Sequence, residues 1–247
     1  MKKQVRSSER VRRADGGSSR AVAPGRRQSR TDARRKEILN AALHCFTTIG
    51  FAGATLADIR VRARASIGSI YHHFRSKEQL AAALYIEGLR DYQARFLAEL
   101  DRHRRGREAV RGVVREHLQW VKRNPDWSQF LYDHRQSDFV TAEEGALKEL
   151  NEGFYRSSAA RWQSLLGSGE IIELPRDLMI AILLGPTQEF ARNWLAGRTR
   201  TDLDDAARLL ADAAWRALRN STSKPRSRHA ASRRVTPSEQ QREMAHE

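Results

Sequence analysis

The stretch Thr55–Leu80, TLADIRVRARASIGSIYHHFRSKEQL, constrains this chain more than any other. It reads as a helix, a tight turn and a second helix, with its last residues opening a third. That arrangement lays a helix into a DNA major groove. Thr55 can cap the first helix, with Asp58 returning the bond from three residues on. Leu56, Ile59 and Ala63 follow at i, i+3 and i+7 on one apolar face. Ser66 is the next cap, for a helix over Ile67–Phe74. Ile70 and Phe74 lie one turn apart and face inward together. Ile67, Gly68, Ser69, Tyr71, His72 and His73 are left for an outward face. Gly68 is a poor helix former, and its use is close approach of the backbone to something large. Ser76 and Gln79 make a capping box for the next helix, with Lys77 at its positive end. An amphipathic helix over Thr31–Ile49 precedes the whole motif.

These residues resemble the tetracycline-repressor (TetR) family of bacterial transcriptional regulators. The family pattern is met by Thr55, Ile59, Ala63, Ser66, Gly68, Ile70, Tyr71, His73, Phe74, Ser76, Lys77, Glu78 and Leu80. Ile38–Phe51, with its Gly50-Phe51 exit, is similar to the family's first helix. The resemblance covers about a fifth of the chain in sequence and the rest in helical layout. It departs at two places: Arg64 stands where the family has glycine in the turn, and Arg60 where it has alanine. A side chain in a left-handed turn costs on the order of 1 kcal/mol, which the turn can bear. Arg60 and Arg64 are either solvated arginines or phosphate contacts.

The formal net charge is +15, and its location decides its meaning. Residues 1–30 carry +8, 31–80 carry +4, 81–219 are neutral and 220–247 carry +3. Charge gathered at one end suits a polyanion held there and argues against a uniformly basic protein. Cys45, the only cysteine, excludes an intrachain disulfide and fits a reducing compartment, so a cytoplasmic location is expected. Beside Leu43 and Phe46 it reads as a small buried residue. No apolar run reaches the length of a membrane span, and the basic start is not followed by the apolar stretch of a secretory signal.

An all-α chain is expected, in four parts: a disordered basic arm (1–30), a three-helix DNA-binding head with the helix-turn-helix (31–80), a helical ligand-binding and dimerisation body (81–219) and a disordered tail (220–247). The arm either tracks phosphates or is a solvated extension. Tyr85, Leu89, Tyr92, Phe96 and Leu100 step down one face of a helix that begins at Ser76 and enters the body without a linker. Further helices are expected over Arg107–Arg123, then from a Thr141–Glu144 cap to Leu166, from Pro175 past a Gly185-Pro186 kink, and from Leu203 to Leu218. Asp126–Ser137 is a short connecting segment. The last two helices carry much apolar surface, which either closes a monomer's core or, as the resemblance implies, packs against a second copy.

The resemblance also implies a homodimer on a palindromic double-stranded operator, released by a small-molecule effector that nothing here identifies. Expected DNA contacts are Thr55, Arg64, Ser66, Ile67, Gly68, Ser69, Tyr71, His72, His73 and Lys77. Ser69 and His72 would read base edges, and Thr55, Tyr71, His73 and Lys77 would position phosphates. The possible effector lining is Trp120, Trp127, Phe130, His134, Phe154, Trp162 and Gln188, although aromatics at helical spacing are more often core. His134 can equally be a surface residue. No cofactor or metal is expected, since His72 and His73 are adjacent and point about 100° apart on a helix. Two other classes stand as alternatives, an all-helical enzyme and a general basic nucleic-acid-binding protein. Against the first, the chain lacks a nucleophile elbow, a phosphate-binding glycine loop and a metal-spaced His/Glu pair. Against the second stands the neutral stretch 81–219.

Overall fold

The computed structural model describes residues 24–221, with side chains from residue 29 onward. Ten helices fill that span: α1 (Pro24–Thr48), α2 (Leu56–Arg62), α3 (Ile67–His73), α4 (Lys77–Asp101), α5 (Gly106–Arg123), α6 (Pro125–Asp133), α7 (Asp138–Thr141), α8 (Glu144–Leu166), α9 (Arg176–Leu195) and α10 (Leu203–Leu218). Among the described residues, the only β pairing is an isolated bridge between Ile171 and Arg219. The fold is all-α, as the helical spacing implies.

Three local expectations change. The first helix starts at Pro24, so residues 24–30 are helical and not part of a disordered arm. Proline suits a first helical position because its missing N–H has no partner there to lose. The arginines and Gln28 that follow are good helix formers extending an existing helix, which needs no new nucleus. The rest of the expected arm, residues 1–23, lies outside the described residues, as does the expected tail beyond Ser221. Thr141 does not cap the long helix. It ends α7, and its hydroxyl donates to the Ser137 carbonyl at 3.3 Å. Phe139 and Val140 on that turn are buried, so packing overrides the local cap signal. Asp126–Ser137 is mostly α6, with Pro125 at its first position.

The chain divides into two compact units. One runs to Tyr92 and takes in Arg123–Asn151; the other comprises Gln93–Lys122 and the residues from Glu152 on. The expected boundary at residue 80 marks the end of the motif, whereas the units follow packing. In the first unit, Ile38, Ile59, Ile70, Phe74, Leu80 and Leu84 are buried together with Phe130, Phe139 and Val140 from far along the chain. The Phe46 and Phe130 rings stack at 5.8 Å, and Phe51 meets Phe46 edge-on at 5.4 Å.

In the second unit, α5 buries Val110, Val113, Val114, Leu118 and Val121 along one stripe. His117 shares that stripe and is 4% exposed. Arg111 pairs with Asp212 at 2.7 Å and Lys122 with Asp204 at 2.7 Å, tying α5 to α10. Arg161 bonds Asp101 through both its nitrogen pairs, tying α8 to the end of α4. Gly112 lets His103 and Glu99 lie against α5; a Cβ there would stand 2.5 Å from the His103 ring nitrogen. Pro186 lies inside α9, where it removes one backbone donor.

Candidate nucleic-acid interface

Thr55 and Asp58 cap α2 reciprocally. The Asp58 N–H donates to Thr55 Oγ1 at 3.2 Å, and the Thr55 N–H donates to the Asp58 carboxylate at 2.9 Å. The Thr55 hydroxyl also donates to Asp58, at 2.6 Å, and these bonds hold that carboxyl below the usual carboxylate range. Ser66 caps α3, accepting from the Ser69 N–H at 3.1 Å. Ser76 accepts from the Gln79 N–H at 3.1 Å, while the Gln79 side chain accepts from the Arg75 N–H at 2.7 Å, one residue before the cap.

Between α2 and α3 the backbone turns left-handed at Arg64, with φ +48°. The sequence points to this strain, and the structure shows its brace. Arg34 donates to the Arg64 carbonyl at 2.8 Å and the Ala63 carbonyl at 3.3 Å, and it is itself paired with Glu37 at 2.6 Å. Nothing local in the sequence marks Arg34 for this, because its partners lie about thirty residues away. Arg64→Gly relieves the left-handed strain but adds freedom to the unfolded chain, so a net gain of about 0.5–1 kcal/mol is expected. A rise of a few degrees in the melting temperature would show it. An unchanged or lower midpoint would mean that the arginine side chain stabilises the turn more than its backbone strains it.

Ile70 and Phe74 are buried at 0% and 2% exposure, which fixes the rotation of α3. Ile67, Gly68, Tyr71 and His72 are left exposed, and Ser69 and His73 are half-buried. Ile67 and Tyr71 are 46% and 53% exposed, unusual for large apolar side chains with a core so near. A Cβ built at Gly68 would meet no atom within 4 Å. Nothing in the protein needs a glycine there. The His72 and His73 rings stand 5.1 Å apart. Burial lowers the His73 pKa, followed by the charges of His72, Arg35 and Arg34, against which Asp32 raises it. His73 is therefore held toward the neutral form, able to donate a hydrogen bond without carrying a charge. Among the described residues, no three metal-ligating side chains come together.

Lys77 is placed differently from a free phosphate contact. Its ammonium donates to the carbonyls of Phe51 at 2.9 Å, Ala54 at 3.1 Å and Ala52 at 3.4 Å, and it sits 4.6 Å from the centre of the Phe51 ring. It holds the loop that leads to Thr55. No local signal marks this role, because the loop lies some 25 residues earlier.

The possible effector residues divide between the units. Trp127, Phe130 and His134 belong to the first. Trp127 packs on Gly88, where a Cβ would come within 2.4 Å of its ring. Phe130 is core, 2% exposed. His134 lies among Phe51, Phe130 and Phe139, with Nδ1 3.1 Å from Ser137 Oγ, and burial pushes its pKa down. Trp120, Phe154, Trp162 and Gln188 belong to the second unit. Trp120 is buried there, and Phe154 meets Phe96 edge-on at 5.3 Å. Cys45 is buried, and burial raises its thiol pKa, as suits a packing residue. Among the described residues, no helix is long and apolar enough to cross a membrane.

Known proteins share this head and this architecture. Residues 38–84 match the family model described as bacterial regulatory proteins, tetR family. The HTH-type transcriptional repressor AcnR of Corynebacterium jeikeium is 42% identical over 57 residues, which is 23% of this chain and 30% of that protein. The chain thus spans about a third of the length of that curated relative. Solved structures extend the likeness in fold. A TetR family transcription regulator from Marinobacter aquaeolei superposes with TM-score 0.64 at 20% identity, over 78% of this chain and 99% of that one. The regulator FadR from Bacillus subtilis, solved in complex with stearoyl-CoA, gives 0.63 at 19% identity, over 72% and 96%. With its head matched by the family model and most of its length sharing the architecture, the chain belongs to the tetR family of bacterial regulatory proteins.

Proposed function

We propose that this chain is a homodimeric, sequence-specific transcriptional repressor that leaves its operator when a small molecule binds its helical body. Regulation, not catalysis, is its activity, and it works in the cytoplasm beside its DNA. One observation carries the reading. On a helix locked by Ile70 and Phe74, Gly68 faces open space beside exposed Ile67, Tyr71 and His72. A helix that spends a glycine on nothing inside the protein is shaped for something outside it.

Ser69 and His72 read base edges, Ile67 meets a thymine methyl or the sugar wall, and Tyr71 and His73 position phosphates. Arg64, at the turn, is a further phosphate contact. Thr55 and Ser66 act through their caps, since the Thr55 donors are already taken by Asp58. Lys77 acts through the loop that it holds. Leu178 on α9 and Leu209 on α10, 49% and 51% exposed, support a dimer face on those two helices. Trp120, Phe154, Trp162 and Gln188 are proposed to line the effector site. The Bacillus subtilis neighbour with its stearoyl-CoA supports a small-molecule effector. Selection from a random duplex pool tests the reading: one palindromic sequence should emerge, protected as a single footprint. Diffuse, strongly salt-sensitive coverage would replace it with general nucleic-acid binding.

Gly68→Ala gives a sharper check, because two effects should take opposite signs. The helix gains up to about 1 kcal/mol from alanine's propensity, since the new methyl group meets no atom. Operator binding should weaken by about 1–3 kcal/mol, roughly 5–150-fold, as α3 is pushed off the groove. Melting and binding curves on the same sample read both. Unchanged affinity would take Gly68 out of the DNA contact.

A further inference from the structure

We propose that the first two turns of α1 are a second DNA-gripping surface, which holds duplex phosphates beside those that α3 touches; this rests on the DNA-binding reading above. Pro24–Arg30 adds about 10 Å of helix ahead of the motif, at 1.5 Å per residue. Positions 26, 27, 30 and 34 are all arginine. At about 100° per residue they fall within one sector of about 100°. Arg34 shows where that sector faces. Its guanidinium lies on the Ala63 and Arg64 carbonyls, in the turn that leads into α3. Beside it, Arg35 stands 5.5 Å from the centre of the Phe74 ring, at the far end of α3. The arginine row is therefore a continuation of the surface that carries the recognition helix.

The row also lacks a counter-charge on its own helix. The first turn of α1 holds no acidic residue, and Pro24–Thr31 contains none. Asp32 falls outside the sector, and Glu37, inside it, is already paired with Arg34 at 2.6 Å. Arg30 is exposed. Like charges stacked turn upon turn repel each other, which costs stability unless a polyanion neutralises them. The polyanion already docked on α3 reaches this row without a second partner. Phosphate contacts carry no sequence information, so the row adds grip and not selectivity.

The test is the full chain carrying R26Q/R27Q/R30Q, which keeps the helix-forming side chains and removes the charge. Its binding is measured against wild type on the duplex selected from a random pool, between about 50 and 200 mM salt. Each lost phosphate contact lowers the slope of log affinity against log salt by about 0.9, so three arginines in each of two protomers should lower it by about 2–5. Affinity at the higher salt should fall about tenfold or more. The ratio of selected to scrambled duplex should stay the same, and ethylation interference should lose two or three phosphates per half-site. An unchanged slope, with wild type still binding its selected site, overturns the second surface and leaves the repressor reading intact. A fall in the selectivity ratio also overturns it, because the arginines would then be acting on the reading head. Wild type that selects no sequence at all overturns the repressor reading itself, and the second surface with it.

Discussion

Phe130→Ala is expected to destabilise the protein by about 3–5 kcal/mol and to abolish operator binding near its growth temperature. Phe130 is 2% exposed, stacks on Phe46 of α1 at 5.8 Å and touches the His134 ring at 4.7 Å. Removing the ring opens a cavity between α6 and the helix that braces the left-handed turn through Arg34. Neighbours already packed as tightly as Phe51 and Phe139, 4.7 Å apart, cannot collapse to fill it. Denaturant unfolding reads the loss, and Phe130→Leu should cost about 1 kcal/mol because it keeps most of the volume. A loss below about 1 kcal/mol for the alanine variant would show that α6 is not part of the head's core. The consequence for function follows from place: Phe130 touches no DNA in this reading, yet it supports the helices that present α3.

Phe130 also shows what the sequence leaves open. Its helical spacing fits a core residue and a pocket residue equally well, because periodicity says that a side chain faces inward and not toward which partner. Features confined to four or five residues were legible: the Thr55–Asp58 box, the Ser66 cap, the inward pair Ile70 and Phe74, and the left-handed turn at Arg64. Each is decided by local hydrogen bonds and by the helical repeat. Features decided by distant neighbours were not. Arg34 reads as one more solvated arginine until Arg64 arrives beside it, and Lys77 as a helix-end cation until the Phe51–Ala54 carbonyls do. Thr141 has the spacing of a cap, but the burial of Phe139 and Val140 ends α7 there instead. The start of α1 at Pro24 was hidden for the opposite reason. A solvated helical turn has no apolar stripe to reveal it, and only its proline and its arginines speak for it.

Acidification is expected to remove about 3 kcal/mol of stability through His117 alone. Burial on the apolar stripe of α5 pushes its pKa down from 6.5 to about 4, so the folded protein holds it neutral. The unfolded chain takes up the proton at about 6.5. Between those two values the unfolded state binds a proton that the folded state refuses, and stability falls as pH falls through that window. Above about 6.5 both states are neutral and this contribution is flat. At about 1.4 kcal/mol per unit, the full window gives the stated loss. His73 and His134 are also lowered by burial and act in the same direction, so the wild-type curve alone does not isolate His117. His117→Gln does, since glutamine keeps a polar side chain of similar size and does not titrate. The difference between the wild-type and variant unfolding free energies should change by about 3 kcal/mol from neutral pH down to about 4, with the wild type losing more. A difference that stays constant across that range would mean that His117 accepts its proton while the second unit remains folded, and that α5 opens to water more readily than its buried stripe implies.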